Sequence, residues 1–150
     1  VVAESLAICE WAAEQNPALW PKNANERALA RSAASIMHSG FPNLRNDAPM
    51  NIRRRTDAGR MTPAGFDDAA KVDELWSGWL GRSGGPFLFG DYSVADAMYA
   101  PVVTRFVTYA IPRSAAAQGY IDRMVAEPHM AAWIAAAEKE TRTLPRSDIA

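Results

Sequence analysis

The chain has 150 residues, 49 % of them hydrophobic, and a formal net charge of −1 at neutral pH. That suits one domain with a real core, and it gives no general pull toward nucleic acid or an anionic membrane. No apolar run approaches the ~20 residues of a membrane span, no basic-then-apolar leader pattern is present, and a single cysteine, Cys9, excludes an internal disulfide and favours a reducing, cytoplasmic setting.

Strand signals are nearly absent. Leu6, Cys9 and Ala13 share a helical face, so residues 5–15 read as a short helix with Ser5 as its N-cap. Asn16-Pro17 ends it, and residues 17–25 read as a linker containing Pro17 and Pro21. Leu29, Ala33, Ile36, Met37, Gly40 and Leu44 predict a long helix over about 26–45, bent near Gly40 and Pro42. An irregular, Arg-rich stretch follows. Thr62-Pro63 is a helix start, with the apolar stripe Val72, Leu75, Trp76 and Trp79 behind it. Gly81-Arg82-Ser83-Gly84-Gly85-Pro86 reads as a loop. The next helix opens at Ser93 and carries Val94, Met98, Val102 and Phe106 at fourfold spacing, with a kink expected at Pro101. Two further helices are predicted, one from Ala117 to near Glu127 and one around Met130, Trp133, Ile134 and Ala137. A polar tail starts at Leu144-Pro145. The fold class is all-α: a bundle of about five helices, preceded by one short helix.

Ser93 and Asp96 have the spacing of a capping box. The Ser hydroxyl accepts from the N–H of Asp96, and the Asp96 carboxylate reaches back to the N–H of Ser93. Their role is structural. Glu4-Ser5 at a helix start can hold both ends of an amino-acid group: the hydroxyl and free N–H groups take a carboxylate, and the Glu takes an ammonium. The local alternative is a plain N-cap with a charged neighbour. His38 and Arg45 lie seven apart on one helical face, with Asn51, Arg53, Arg54 and Arg55 following. They read either as an anion site or as a solvated charge run, and His38 alone reads as a packing histidine. Cys9 lies mid-helix with nothing to lower its pKa, so it reads as a structural thiol. His38 and His129 are isolated, and no metal site is expected.

Three segments together resemble the glutathione S-transferase family. One is Glu4-Ser5-Leu6-Ala7-Ile8 with Glu10-Trp11. The second is Leu19-Trp20-Pro21 ahead of the first long helix. The third is the Ser93/Asp96 box within Phe89-Gly90-Asp91-Tyr92-Ser93-Val94-Ala95-Asp96. Met37-His38-Ser39-Gly40-Phe41, Leu44-Arg45, Pro49-Met50-Asn51-Ile52-Arg53 and the run Ala95 to Val102 are similar to a bacterial subgroup of that family. The resemblance covers nearly the whole chain. It implies that 1–16 is the last helix of a thioredoxin-like domain, 17–25 the interdomain linker, and 26–150 the all-helical C-terminal domain. Glu4 and Ser5 then bind the γ-glutamyl end of glutathione. His38, Arg45, Asn51 and Arg53 supply the polar lining of an electrophile pocket, with Phe41 and Met50 as its apolar wall. The reaction implied is attack of the glutathione thiolate on a small hydrophobic electrophile in a homodimer, with no metal.

No position matches the family's thiol-activating residue or its cis-proline, so the expectation is a fragment or truncated form, inactive in conjugation on its own. The usual hydrophobic staple of the box is also weakened, because the partner of Tyr92 is only Ala97. The competing readings are a non-catalytic helical scaffold module and an unrelated helical enzyme using the Arg cluster.

Overall fold

A computed structural model describes residues 1–144; the expected polar tail from Pro145 onward lies outside the described residues. Seven α-helices and one 3-10 turn make up the described chain: α1 (Ser5–Gln15), the 3-10 turn Pro17–Leu19, α2 (Ala24–Ser39), α3 (Pro42–Asp47), α4 (Pro63–Ser83), α5 (Val94–Thr108), α6 (Ala115–Ala126) and α7 (Pro128–Lys139). No strand occurs among the described residues, and an isolated bridge between Phe87 and Gly90 is a turn feature. The all-α reading is correct. No helix among the described residues is long and apolar enough to cross a membrane.

Caps define the helix ends much as composition suggests. Thr62 accepts the N–H of Gly65 with Pro63 in the first turn, Asn23 accepts from Asn25 and Glu26, and Ser114 accepts from Ala117. Three boundaries differ from expectation. α4 runs on through the expected loop start at Gly81 to Ser83 and ends at Gly84, whose left-handed backbone (φ 64°) stops it. The N-cap of α1 is Glu4, not Ser5, and no side chain caps it. The helix expected over 26–45 is two helices, because Phe41 takes a left-handed backbone (φ 59°, ψ 47°) that ends α2 and opens α3 at Pro42. Asp68 of α4 stabilises that new start by accepting from the N–H groups of Asn43 and Leu44 at 2.8 and 3.0 Å. In return, Asp47 at the end of α3 accepts from Thr62 N–H at 2.9 Å and Thr62 Oγ1 at 2.6 Å. α3 and α4 therefore cap each other.

α5 lies at the centre, packed on α2 and α6, while α4 packs on α3 and α6. Its four-residue stripe Val94, Met98, Val102 and Phe106 is buried as predicted. Trp76 of α4 is fully buried and sits among Tyr99, Phe106 and Tyr120, with ring centroids 5.8, 5.2 and 5.0 Å away. Such tilted and edge contacts each add about 0.5–1.5 kcal/mol beyond burial. The helix assignment of α5 continues through Pro101. The carbonyl of Pro101 accepts from Thr104 Oγ1 and Arg105 Nη1, both at 2.9 Å.

α1 is embedded on one side alone. Ala13 is buried and Leu6 and Cys9 lean on the core, but Ile8 and Trp11 are 46 % and 54 % exposed. Glu10 and Arg31 tie α1 to α2 by a two-pronged ion pair at 2.9 and 3.0 Å, and Arg31 also lies over the Trp20 ring.

Candidate functional site

The start of α1 is built unusually. Glu4 has φ 72° and ψ 132°, a backbone region that residues other than glycine rarely occupy. This turn brings the carboxylate and the hydroxyl of Ser5 to one side, where α2 presents His38. Ser5 Oγ lies 3.3 Å from His38 Nδ1, and Glu4 Oε2 lies 3.6 Å from His38 Nε2. The Nε2–H tautomer satisfies both contacts: the ring accepts from Ser5 and turns its N–H toward Glu4. All three side chains remain open to solvent, with Glu4 at 73 % and His38 at 36 % side-chain exposure.

This constellation borders a cavity of about 340 Å³ with a mostly apolar wall, lined by Ser5, Ile8, Cys9, Met37, His38, Arg45, Ala97, Met98 and Pro101. Arg45 and His38 meet there as expected, though by another route. The break at Phe41 places Arg45 on α3, and its guanidinium reaches back to the end of α2. Nε donates to the Gly40 carbonyl at 3.0 Å, and Nη2 donates to the carbonyls of Met37 and His38. Arg105 stands behind it and donates to the carbonyls of Ala48 and Pro101, both at 2.9 Å. Burial, and secondarily the charge of Arg45, lower the pKa of Arg105 to about 10. Neither guanidinium has a carboxylate partner among the described residues. Arg45 therefore brings a cation to the cavity wall, with Arg105 near enough for the two charges to interact, an arrangement favourable to an anion at Arg45.

The remaining expected pocket residues lie elsewhere. Phe41 is buried in the core at 6 % exposure. Met50, Asn51 and Arg53 line a separate cavity of about 380 Å³ with Trp133, Ala137, Glu140 and Leu144. Arg53 is engaged there by the carbonyls of Glu140 and Arg142, and the Asn51 carbonyl accepts from Thr108 Oγ1 at 2.7 Å. A third and larger hollow, about 590 Å³, lies between Trp20, Glu26, Phe89 and Tyr92. The cavity at His38 has a hydroxyl and an imidazole in its wall, with the Glu4 carboxylate against that imidazole, so it is the candidate site despite its moderate size. Sequence reasoning did not place Cys9, Met98 and Pro101 around this cavity. Met98 and Pro101 arrive with α5 packed on α2, and Cys9 with α1 packed on α2, and neither packing has a local signal. The Cys9 thiol is pushed up by burial and then by Glu10, which keeps it a poor nucleophile.

Ser93 and Asp96 belong to a different kind of site. The Ser93–Asp96 capping box is formed. Asp96 is fully buried and accepts four hydrogen bonds: Ser93 N–H at 2.9 Å, Ser93 Oγ at 3.1 Å, Leu88 N–H at 3.1 Å and Tyr120 Oη at 3.1 Å. Burial raises its pKa, and the four donors oppose that rise. Among the described residues, no group of three or more His, Cys, Asp or Glu is placed to hold a metal ion. No protein-family model matches the chain, and no curated protein matches it in sequence.

Proposed function

We propose that this chain binds the γ-glutamyl end of glutathione at Glu4 and Ser5 and presents an electrophile pocket beside it, as part of a glutathione transferase-like protein. The observation that carries the reading is the joint placement of Glu4, Ser5 and His38 at the open start of α1, beside a cavity that Arg45 also lines. Each feature has a counterpart in the ligand. The Glu4 carboxylate suits the α-ammonium. Ser5 Oγ and the uncapped N–H groups of the first turn suit the α-carboxylate. The apolar wall formed by Ile8, Met37 and Met98 suits a hydrophobic electrophile, and Arg45 favours an anionic group on it. Met50, Asn51 and Arg53 line a cavity separate from the one at His38 and drop out of the proposed pocket.

Calorimetric titration of the folded chain with glutathione tests the proposal. Millimolar or tighter binding, lost in Ser5→Ala and in Glu4→Ala, is the expected result. No heat of binding, or binding unchanged in both variants, contradicts it.

A further inference from the structure

The contacts of His38 support a chemistry separate from thiol conjugation. We propose that Ser5, His38 and Glu4 form a serine-nucleophile relay that cleaves small activated esters. The proposal does not rest on glutathione binding.

A serine nucleophile needs a base on its hydroxyl, an acid partner on the far side of that base, donors for the oxyanion and room for the acyl group. All four are present. His38 Nδ1 is 3.3 Å from Ser5 Oγ, and His38 Nε2 is 3.6 Å from Glu4 Oε2. The two ring nitrogens thus serve opposite partners, with the serine on Nδ1 and the carboxylate on Nε2. Distances of this size in an open site shorten when substrate excludes water. Ser5 occupies the first turn of α1, where the N-cap side chain makes no bond to the helix N–H groups, so those donors are available to a developing oxyanion. The mostly apolar cavity of about 340 Å³ beside Ser5, walled by Ile8, Met37, Met98 and Pro101, has space for a short acyl chain.

The steps balance without a further reactant except water. Ser5 Oγ attacks the ester carbonyl carbon, and its proton passes to His38 Nδ1. The carbon–oxygen bond to the alcohol breaks, and the departing alkoxide takes that proton. Water then attacks the acyl-Ser5 carbonyl and gives a proton to Nδ1. The bond to Ser5 Oγ breaks, the carboxylic acid leaves, and Ser5 Oγ recovers the proton. Glu4 holds the ring orientation and stabilises the imidazolium, so it is a positioning residue.

The test uses the full chain with p-nitrophenyl acetate and, in parallel, a fluorophosphonate reagent, with the modified residue located by peptide mass analysis. The expected adduct is on Ser5. It disappears in Ser5→Ala and in heat-unfolded protein. Its rate falls by about a hundredfold in His38→Gln. Glu4→Gln lowers kcat with KM unchanged, and Glu4→Asp restores part of it. Circular dichroism establishes that each variant is folded. No adduct on the folded chain, an adduct at another residue, or labelling of Ser5 undiminished in His38→Gln overturns the proposal. Glutathione titration of the same samples keeps the two readings apart: ester cleavage without glutathione binding supports this proposal alone, and the reverse supports only the other.

Discussion

Asp96 and Glu4 are both carboxylates at the start of a helix, and they are held in opposite ways. Asp96 is fully buried, its two oxygens take four donors, and those donors come from three separate places along the chain. Glu4 is mostly exposed, its backbone is strained, and among the described residues its carboxylate meets one side of an imidazole. A carboxylate whose acceptor capacity is filled by its own protein has none left for a ligand, and its role is to fix the chain. A carboxylate held loosely at an uncapped helix start leaves capacity for something else. This contrast separates the folding determinant from the candidate site.

The largest expected effect comes from emptying the filled position. Asp96→Ala strands the N–H groups of Ser93 and Leu88 and the hydroxyl of Tyr120 in the interior, and is expected to cost about 3 kcal/mol or more of stability. Urea unfolding measures it, and a loss under about 1 kcal/mol breaks the contrast.

The pH dependence of the same residue shows whether burial or the four donors prevail. Burial raises the carboxyl above its ordinary range. A group raised in the folded state contributes stability that is whole below its unfolded value and is lost as pH rises through its folded value. Between about pH 3 and 7, the stability of the wild type is therefore expected to fall relative to Asp96→Asn. A relative rise instead means that the donors outweigh burial.

A third carboxylate, Asp47, lies between these extremes: it is half-buried and receives both the N–H and the hydroxyl of Thr62. A Cβ on Gly65 falls 2.2 Å from its Oδ2. Gly65→Ala is expected to destabilise by about 1–2 kcal/mol, because the loss of those bonds exceeds the helix propensity gained. Gly78→Ala on the same helix meets nothing within 4 Å and is expected to stabilise by about 0.5–1 kcal/mol. Thermal unfolding of the two variants gives shifts of opposite sign, and shifts of the same sign contradict the role given to Asp47.

The smallest effect on stability is expected at the open site. Ser5→Ala removes one exposed contact to His38 and is expected to change stability by less than about 0.5 kcal/mol. The same unfolding experiment measures it. A loss comparable to Asp96→Ala makes the start of α1 a folding element like the other.

Sequence reasoning reached these two regions unequally. Ser93 and Asp96 are three residues apart, so a local rule finds the box. The added donors Leu88 and Tyr120 depend on how the preceding turn and α6 fold over it, which no local rule contains. The buried stripe of α5 was legible because fourfold spacing maps directly onto one helical face. On α2 the same logic included Ile36, which is 37 % exposed. His38 and Arg45 were paired by a seven-residue spacing that assumes an unbroken helix. They do meet, but because Arg45 caps α2 from α3 after the chain turns at Phe41. Met50, Asn51 and Arg53 join them in the expected pocket only through the family resemblance, and the irregular stretch after α3 carries them to another cavity. Glu4 as the true N-cap escaped notice because its backbone angle is one that sequence rules assign to glycine.

The most direct measurement is a backbone-amide NMR map of the folded chain titrated with glutathione. The account predicts saturable shifts centred on Ser5, Leu6, Ala7 and His38, with Leu88, Ser93 and Asp96 unmoved. Shifts centred instead on Met50, Asn51, Arg53 and Trp133, or none at all, contradict it.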